Sequence, residues 1–193
     1  MTEAPDWLGP VAVLVPVKSF AEAKLRLAHA LRAADRASLA RRMAAHVLEA
    51  ARPLPVAVVC DDAAVADWAR HEGALVVWEP GRGLNGAVQA GVERLAAAGV
   101  RQVVVAHADL PLAGPLAWAA RFPGVTLVPD RRDDGTNVVS VPTGTEFTFS
   151  YGPGSFQRHG AEARRLGLSL RVVREPGLGH DVDVPADLVA SHQ

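Results

Sequence analysis

Short, continuously apolar runs alternate along the chain with stretches whose apolar residues recur every three or four positions. That alternation predicts a layered α/β protein. Val11–Val17 (VAVLVPV) reads as a buried strand. Asp35 then reads as the cap of a helix with Leu39, Met43, Val47 and Leu48 on one face, ended by Pro53 and Pro55. Val56–Cys60 is a second strand. Asp61 and Asp62 open a short helix closed by Gly73, and Ala74–Trp78 is a third strand. The loop EPGRGLNG leads into a helix carrying Val88, Val92 and Leu95, closed by Gly99. Gln102–His107 is a fourth strand, ending in ADLP. A helix over Leu116–Arg121 and a strand over Val125–Val128 follow. Asn137–Val141 and Glu146–Phe149 read as shorter β-runs, PGSFQRHGAEARRLG as a loop and helix, Leu168–Val173 as a strand, and DVDVPADL as a turn into a last short helix.

Strands that are apolar throughout, rather than at every second residue, are covered on both faces. A mostly parallel sheet between helical layers is therefore expected. In such sheets ligands bind beyond the carboxyl ends of the strands. The residues to weigh are those from Pro16 to Arg26, Asp61, Glu79 to Asn85, His107 to Pro111, and the late loops.

Composition narrows the class. The 193 residues are 49% hydrophobic and 21% charged, which is the make-up of a folded globule, and one domain over 1–193 is expected, with 1–10 as a loose lead-in. Net charge is -1. That argues against nucleic acid or an anionic membrane as a partner. No apolar run approaches ~18 residues, so no membrane span is expected. The opening MTEAPDWLGP has no basic or apolar leader, and the lone Cys60 makes no internal disulfide, so a cytoplasmic chain is expected. Of 20 Lys+Arg only Lys18 and Lys24 are lysines, and both fall in one seven-residue stretch. A compact, rotatable ammonium is one reason to place them there, and chance is the other.

Five segments carry candidate chemistry. In VPVKSFAEAKLRL, Lys18, Lys24 and Arg26 place three cations at a ligand edge, as a polyphosphate requires, although a solvated basic segment would look the same. No glycine lies between Gly9 and Gly73, so a glycine-rich phosphate cradle is absent there. Asp109 in HADLP ends a buried strand, where an unpaired carboxylate is costly, and is a Mg²⁺ candidate or else a helix cap. Asp181 and Asp183 in DVDVPADL point to the same side of an extended segment and can share a cation with a third carboxylate, or form an acidic turn with Asp183 as a cap. DGTN and YGPGS combine hydroxyls with exposed backbone N–H groups. Ser155 at a helix start makes the better anion site, with an ordinary turn as the alternative. In GRGLNGAV, Asn85 is placed to read a base edge or a ribose, with Glu79 upstream, or is the N-cap of its helix. Together these describe metal-assisted transfer between two phosphorylated substrates.

The ordered series VPVKSFAEAKLRL, GLNGAV, HADLP, PDRRDDGTN, GPGSFQRH and DVDVPADL resembles the phospholactate / phosphoenolpyruvate guanylyltransferases, from about Val11 to Leu188. These make the activated precursor of the deazaflavin hydride-transfer coenzyme, factor 420, and are related to molybdenum-cofactor guanylyltransferases. The resemblance implies a three-layer α/β/α sandwich of the nucleotide-diphospho-sugar transferase kind, with a mixed, mostly parallel sheet of about seven strands. It implies GTP, Mg²⁺, and phosphoenolpyruvate or 2-phospho-L-lactate. Lys18, Lys24 and Arg26 would face the triphosphate, and Glu79 and Asn85 would lie by the guanosine. Asp109, Asp181 and Asp183 would hold the metal, and Thr136, Gly152 and Ser155 the phospho-acid. The implied product passes to a downstream transferase, and a homodimer is an open alternative to the monomer. Two other readings remain. Another nucleotidyltransferase, such as a molybdenum-cofactor guanylyltransferase, is disfavoured by the missing glycine-rich loop. A non-catalytic nucleotide-binding protein is disfavoured by the retained aspartates and lysines.

Overall fold

A computed structural model of the chain describes residues 8–183, Pro185 and Asp187. Most of the expected lead-in and most of the expected final helix lie outside these residues.

Seven strands form one sheet: β1 Val11–Pro16, β2 Val56–Cys60, β3 Leu75–Trp78, β4 Gln102–Ala106, β5 Val125–Pro129, β6 Thr136–Pro142 and β7 Leu170–Val172. Their order is β3-β2-β1-β4-β6-β5-β7. The pairs β1–β2, β1–β4, β2–β3 and β5–β7 are parallel, and β6 runs antiparallel to both neighbours. The helices are α1 Ala33–Ala50, α2 Ala63–His71, α3 Gly83–Ala97, α4 Ser155–Arg165 and the single turn α5 Pro176–Gly179.

The strands are apolar on both faces because both are covered. Val13 and Val15 of β1 pack with Ala44 and Val47 of α1 and Trp68 of α2. Ala12 and Leu14 pack with Val88, Val92 and Leu95 of α3, in a cluster that also holds Phe156 and Ala163 of α4. Gly91 fixes the approach of α3 to the sheet, because a Cβ there would stand 2.7 Å from Leu14 Cδ2.

Several boundaries depart from the sequence reading. Helix α1 starts two residues before Asp35, whose carboxylate accepts from the Arg32 guanidinium at 2.9 Å instead of capping the backbone. The run before Val125 is a 3₁₀ turn, Ala117–Arg121. The segment around Glu146–Phe149 joins no ladder. Its apolar alternation is real, since Phe147, Phe149 and Tyr151 are buried. Side chains, not a strand, satisfy its backbone: Thr148 N–H donates to Glu162 (3.0 Å), Ser150 N–H to His159 Nε2 (3.0 Å), and Tyr151 N–H to Asn85 Oδ1 (2.6 Å).

The chain runs β1-β2-β3 toward one edge, then returns to place β4 on the other side of β1. The carboxyl ends of β1 and β4 thus diverge into loops on opposite sides, which opens a crevice at the switch point.

Candidate nucleotidyl-transfer site

The loop after β1 forms one wall of that crevice. It passes Lys18, makes a 3₁₀ turn at Phe20–Glu22, and places Lys24 in a left-handed conformation (φ 55°) before a second 3₁₀ turn, Leu25–Leu27. A non-glycine residue holds that conformation at a cost of about 1–2 kcal/mol, and such strain is commonly kept where a side chain must be aimed.

Lys24 is aimed at carboxylates. Its Nζ donates to Asp109 Oδ2 at 2.6 Å and to Asp183 Oδ1 at 3.2 Å, while Arg26 Nη1 reaches Asp183 Oδ2 at 3.4 Å. Asp109 follows β4, and the 181–183 segment is joined to it by Val182 N–H donating to the Asp109 carbonyl at 3.3 Å. Burial penalises the Lys24 ammonium, but Asp109 and Asp183 outweigh it and raise its pKa. Burial likewise penalises the Asp109 carboxylate, but Lys24 and then His107 hold it below the usual range. For Asp181 burial dominates, Asp109 next to it adds to the effect, and its pKa is raised.

These residues bound a cleft of about 490 Å³, with Lys18, Lys24, Arg26, Asp109 and Asp183 in its lining. A smaller hollow shares Lys18 and Leu84 with it and adds Asp61 and Glu79. Glu79 pairs with Arg82 at 2.7 Å. The five lining residues therefore meet in one place, with Glu79 next door.

Asn85 does not take the capping position that one sequence reading gave it. Arg82, not Asn85, is the N-cap of α3. The Asn85 amide grips Tyr151 from both ends, accepting its N–H and donating to its carbonyl at 3.4 Å.

Thr136, Gly152 and Ser155 do not line the main cleft. Gly154, with φ 72°, caps α4 and leaves Ser155 as its first residue. The Ser155 hydroxyl turns to Thr136 Oγ1 at 3.4 Å. Gly152 accepts the Ser155 N–H at 3.0 Å. The group adjoins the cleft through His107, whose N–H donates to the Asn137 carbonyl at 3.0 Å.

The donor chemistry at Asp109 suits a hard divalent cation, because Oδ1 is buried without a hydrogen-bond partner. The three aspartates do not converge as a cage. Among the described residues no group of three or more His, Cys, Asp or Glu stands at metal-holding spacing. Lys24 holds the place between Asp109 and Asp183 as their counterion.

Sequence reasoning weighed His107 only as the start of the segment after β4, and gave no role to Tyr151, His159 or Asp187. Asp187 accepts the Asp183 N–H at 2.8 Å and pairs with Arg131, so it anchors the acidic segment. The four-residue spacing of Asp183 and Asp187, and of Ser155 and His159, was the available signal.

A family model described as guanylyl transferase, CofC-like, matches residues 11–191. Phosphoenolpyruvate guanylyltransferase of Sphaerobacter thermophilus is 38% identical over 184 residues, covering 91% of this chain and 89% of that one. The protein of the same name from Roseiflexus castenholzii is 39% identical over 182 residues, covering 91% and 85%. A solved structure from Desulfovibrio desulfuricans G20, named for the nucleotide-diphospho-sugar transferases, superposes with a TM-score of 0.76 at 16% identity, over 92% of this chain and 84% of that one, and supports the fold. With the family match spanning the whole crevice and the relatives covering both chains nearly end to end, this protein is a nucleotidyltransferase that belongs to the CofC-like guanylyl transferase family.

Proposed function

We propose that this chain transfers the guanylyl group of GTP to phosphoenolpyruvate and releases pyrophosphate, supplying the deazaflavin coenzyme pathway. The observation that carries the reading is the Lys24 ammonium held between Asp109 and Asp183 at the β1/β4 switch point. The names of the relatives support phosphoenolpyruvate over 2-phospho-L-lactate as the acceptor.

An acceptor phosphate oxygen attacks the α-phosphorus. The bond from that phosphorus to the bridging oxygen breaks, and pyrophosphate leaves with the electron pair. The nucleophile is already anionic near pH 7, so no general base is needed. The barrier is repulsion between two polyanions and charge growth on the leaving group. Lys18, Lys24 and Arg26 oppose both, and the rest of the work is positioning. Asp109, with Asp181 and Asp183, would hold Mg²⁺, which when bound neutralises phosphate charge.

Glu79 stands on the guanosine side, where a carboxylate complements the donor edge of guanine. Asn85, its amide taken up by Tyr151, shapes that side from behind. Thr136 and Ser155 hydroxyls and the Gly152 backbone N–H grip the phospho-acid. The setting is cytoplasmic, the product passes to a downstream transferase, and a homodimer is compatible with the reading. No helix among the described residues is long and apolar enough to cross a membrane.

The test is incubation with GTP and Mg²⁺ plus phosphoenolpyruvate, 2-phospho-L-lactate or 3-phosphoglycerate, coupled to the downstream transferase, with products identified by mass. The expected product is the unsaturated three-carbon acid joined to guanosine through a diphosphate. In direct competition the discrimination against phospholactate should be about 10- to 200-fold, the range that a small shape difference supports. Mainly saturated product would overturn the acceptor, and equal use of ATP would overturn the guanylyl assignment.

A further inference from the structure

His159 is fully buried on α4 and belongs to none of the groups assigned above. Both ring nitrogens are in use. Nε2 accepts the Ser150 backbone N–H at 3.0 Å, and Nδ1 lies 3.0 Å from Thr136 Oγ1. A backbone N–H can only donate, so Nε2 must be the bare nitrogen and Nδ1 must carry the proton. That proton points at Thr136, whose hydroxyl oxygen therefore accepts. Ser155 Oγ also donates to the same oxygen, at 3.4 Å. With its oxygen taken up as an acceptor, the Thr136 hydroxyl, on a residue only 1% exposed, keeps its own hydrogen to donate.

We propose that His159 is a positioning residue for the acceptor site: its tautomer, locked by the Ser150 backbone, turns the Thr136 hydroxyl into a donor toward the phospho-acid. The inference rests on the acceptor-binding reading of Thr136 and Ser155 given above. Its surroundings suit it to the task. The ring is packed edge-on against Tyr151 (centroids 4.9 Å apart) and Phe149 (6.3 Å), which fixes its plane. Burial foremost, aided by the neighbouring Arg158, lowers its pKa to about 4, so the ring stays neutral at physiological pH. A charged imidazolium would lose the Ser150 bond, and the opposite tautomer would set two N–H groups against each other. The geometry thus ties the 147–151 segment, helix α4 and the Thr136 hydroxyl through one ring.

Two substitutions separate orientation from packing. In His159→Asn the short amide can place an N–H where Nδ1–H stood, which keeps the bond to Thr136 and gives up Ser150. In His159→Gln the longer amide can place an oxygen where Nε2 stood, which keeps Ser150 and gives up Thr136. The expected result is an acid KM about tenfold higher in His159→Gln, with GTP KM and kcat within twofold of wild type, and an acid KM close to wild type in His159→Asn even if its Tm falls. Adding Thr136→Val to His159→Gln should raise the acid KM no further than Thr136→Val alone. Imidazole ¹⁵N NMR of the wild-type protein should show Nδ1 protonated and Nε2 bare.

An Nε2-protonated ring overturns the inference. So does an unchanged acid KM in His159→Gln, or equal damage to acid KM and GTP KM in both variants, which is the signature of packing alone. If Thr136→Val by itself leaves the acid KM unchanged, the acceptor reading fails and the inference falls with it. If Thr136→Val raises it but His159→Gln does not, only the inference fails.

Discussion

Replacing Lys24 with methionine should unmask the electrostatics of the cleft. The side chains of Lys24 and Asp109 are only 10% and 22% exposed, and their contact is 2.6 Å. Removing one member of so enclosed a pair leaves the other charge in place without compensation. Such deletions cost about 3–5 kcal/mol. The lower end applies here, because Asp109 keeps some solvent and Asp183, 40% exposed, loses little. A loss of about 3 kcal/mol corresponds to a Tm fall of roughly 6–12 °C for a chain of this size.

The pH dependence carries the diagnosis. In the wild type the Asp109 pKa is depressed, so its stabilising contribution is complete above the usual carboxylate range and lost only as pH falls through the lower, folded value. The raised Lys24 pKa keeps that ammonium charged throughout the acid and neutral range. Without Lys24, the largest influence opposing burial is gone and the Asp109 pKa rises, so protonation relieves the variant. The stability gap should therefore be widest near pH 8 and narrow toward pH 4. Urea unfolding followed by circular dichroism at several pH values measures it. Equal stability at pH 8, or a gap that widens on acidification, would refute this account of the cleft.

Two further substitutions probe neighbouring groups. Asp183→Asn should change stability by less than about 1 kcal/mol, because the side chain is half-exposed, yet lower turnover by roughly two orders of magnitude, since an amide offers a dication no anionic oxygen; most of the activity surviving in a Mg²⁺ titration of pyrophosphate release would exclude Asp183 as a required ligand. Asn85→Ala strands the Tyr151 N–H, so it should cost about 1–3 kcal/mol and raise the acid KM along with the GTP KM. A rise in GTP KM alone, at unchanged Tm, would mean that Asn85 reads the nucleotide directly.

The sheet was legible because four of its strands, β1 to β4, are apolar at four or more consecutive positions, a pattern that a doubly covered strand produces and a surface strand does not. What periodicity could not show was the direction of β6. Its valines, interrupted by Thr136, Asn137 and Ser140, read as a buried run all the same, and direction depends on the turn geometry between β5 and β6, not on composition. The 146–151 segment misled for a related reason. Its alternation reports one buried face, which a ladder strand and a loop segment held by Asn85, His159 and Glu162 share equally. Asp109 could be picked out because it follows an apolar strand, and Asp183 because it stands two residues after Asp181. Their junction through Lys24 could not, because it depends on a left-handed residue at a position with no glycine to announce it. Asn85 was legible as a residue placed near a helix start, but its partner, 66 positions away, was not.

The absence of glycine across residues 10–72 then takes on a physical meaning. A glycine-rich loop binds phosphate through backbone N–H groups that a missing Cβ leaves approachable. Here the corresponding loop spends its backbone on two 3₁₀ turns, with Ala23 and Ala28 N–H groups donating within the loop at 3.3 and 3.0 Å. Those N–H groups are already committed, so the loop offers side-chain charge instead: Lys18 and Lys24 in the cleft, and Arg26 at its rim, 76% exposed. Such charges need counterions when no substrate is bound, and Asp109 and Asp183 supply them for Lys24. One set of ion pairs therefore serves two states. It holds the loop to the β4 end of the sheet in the free protein, and in the proposed reaction it presents a cation and two carboxylates where a triphosphate and a dication would meet.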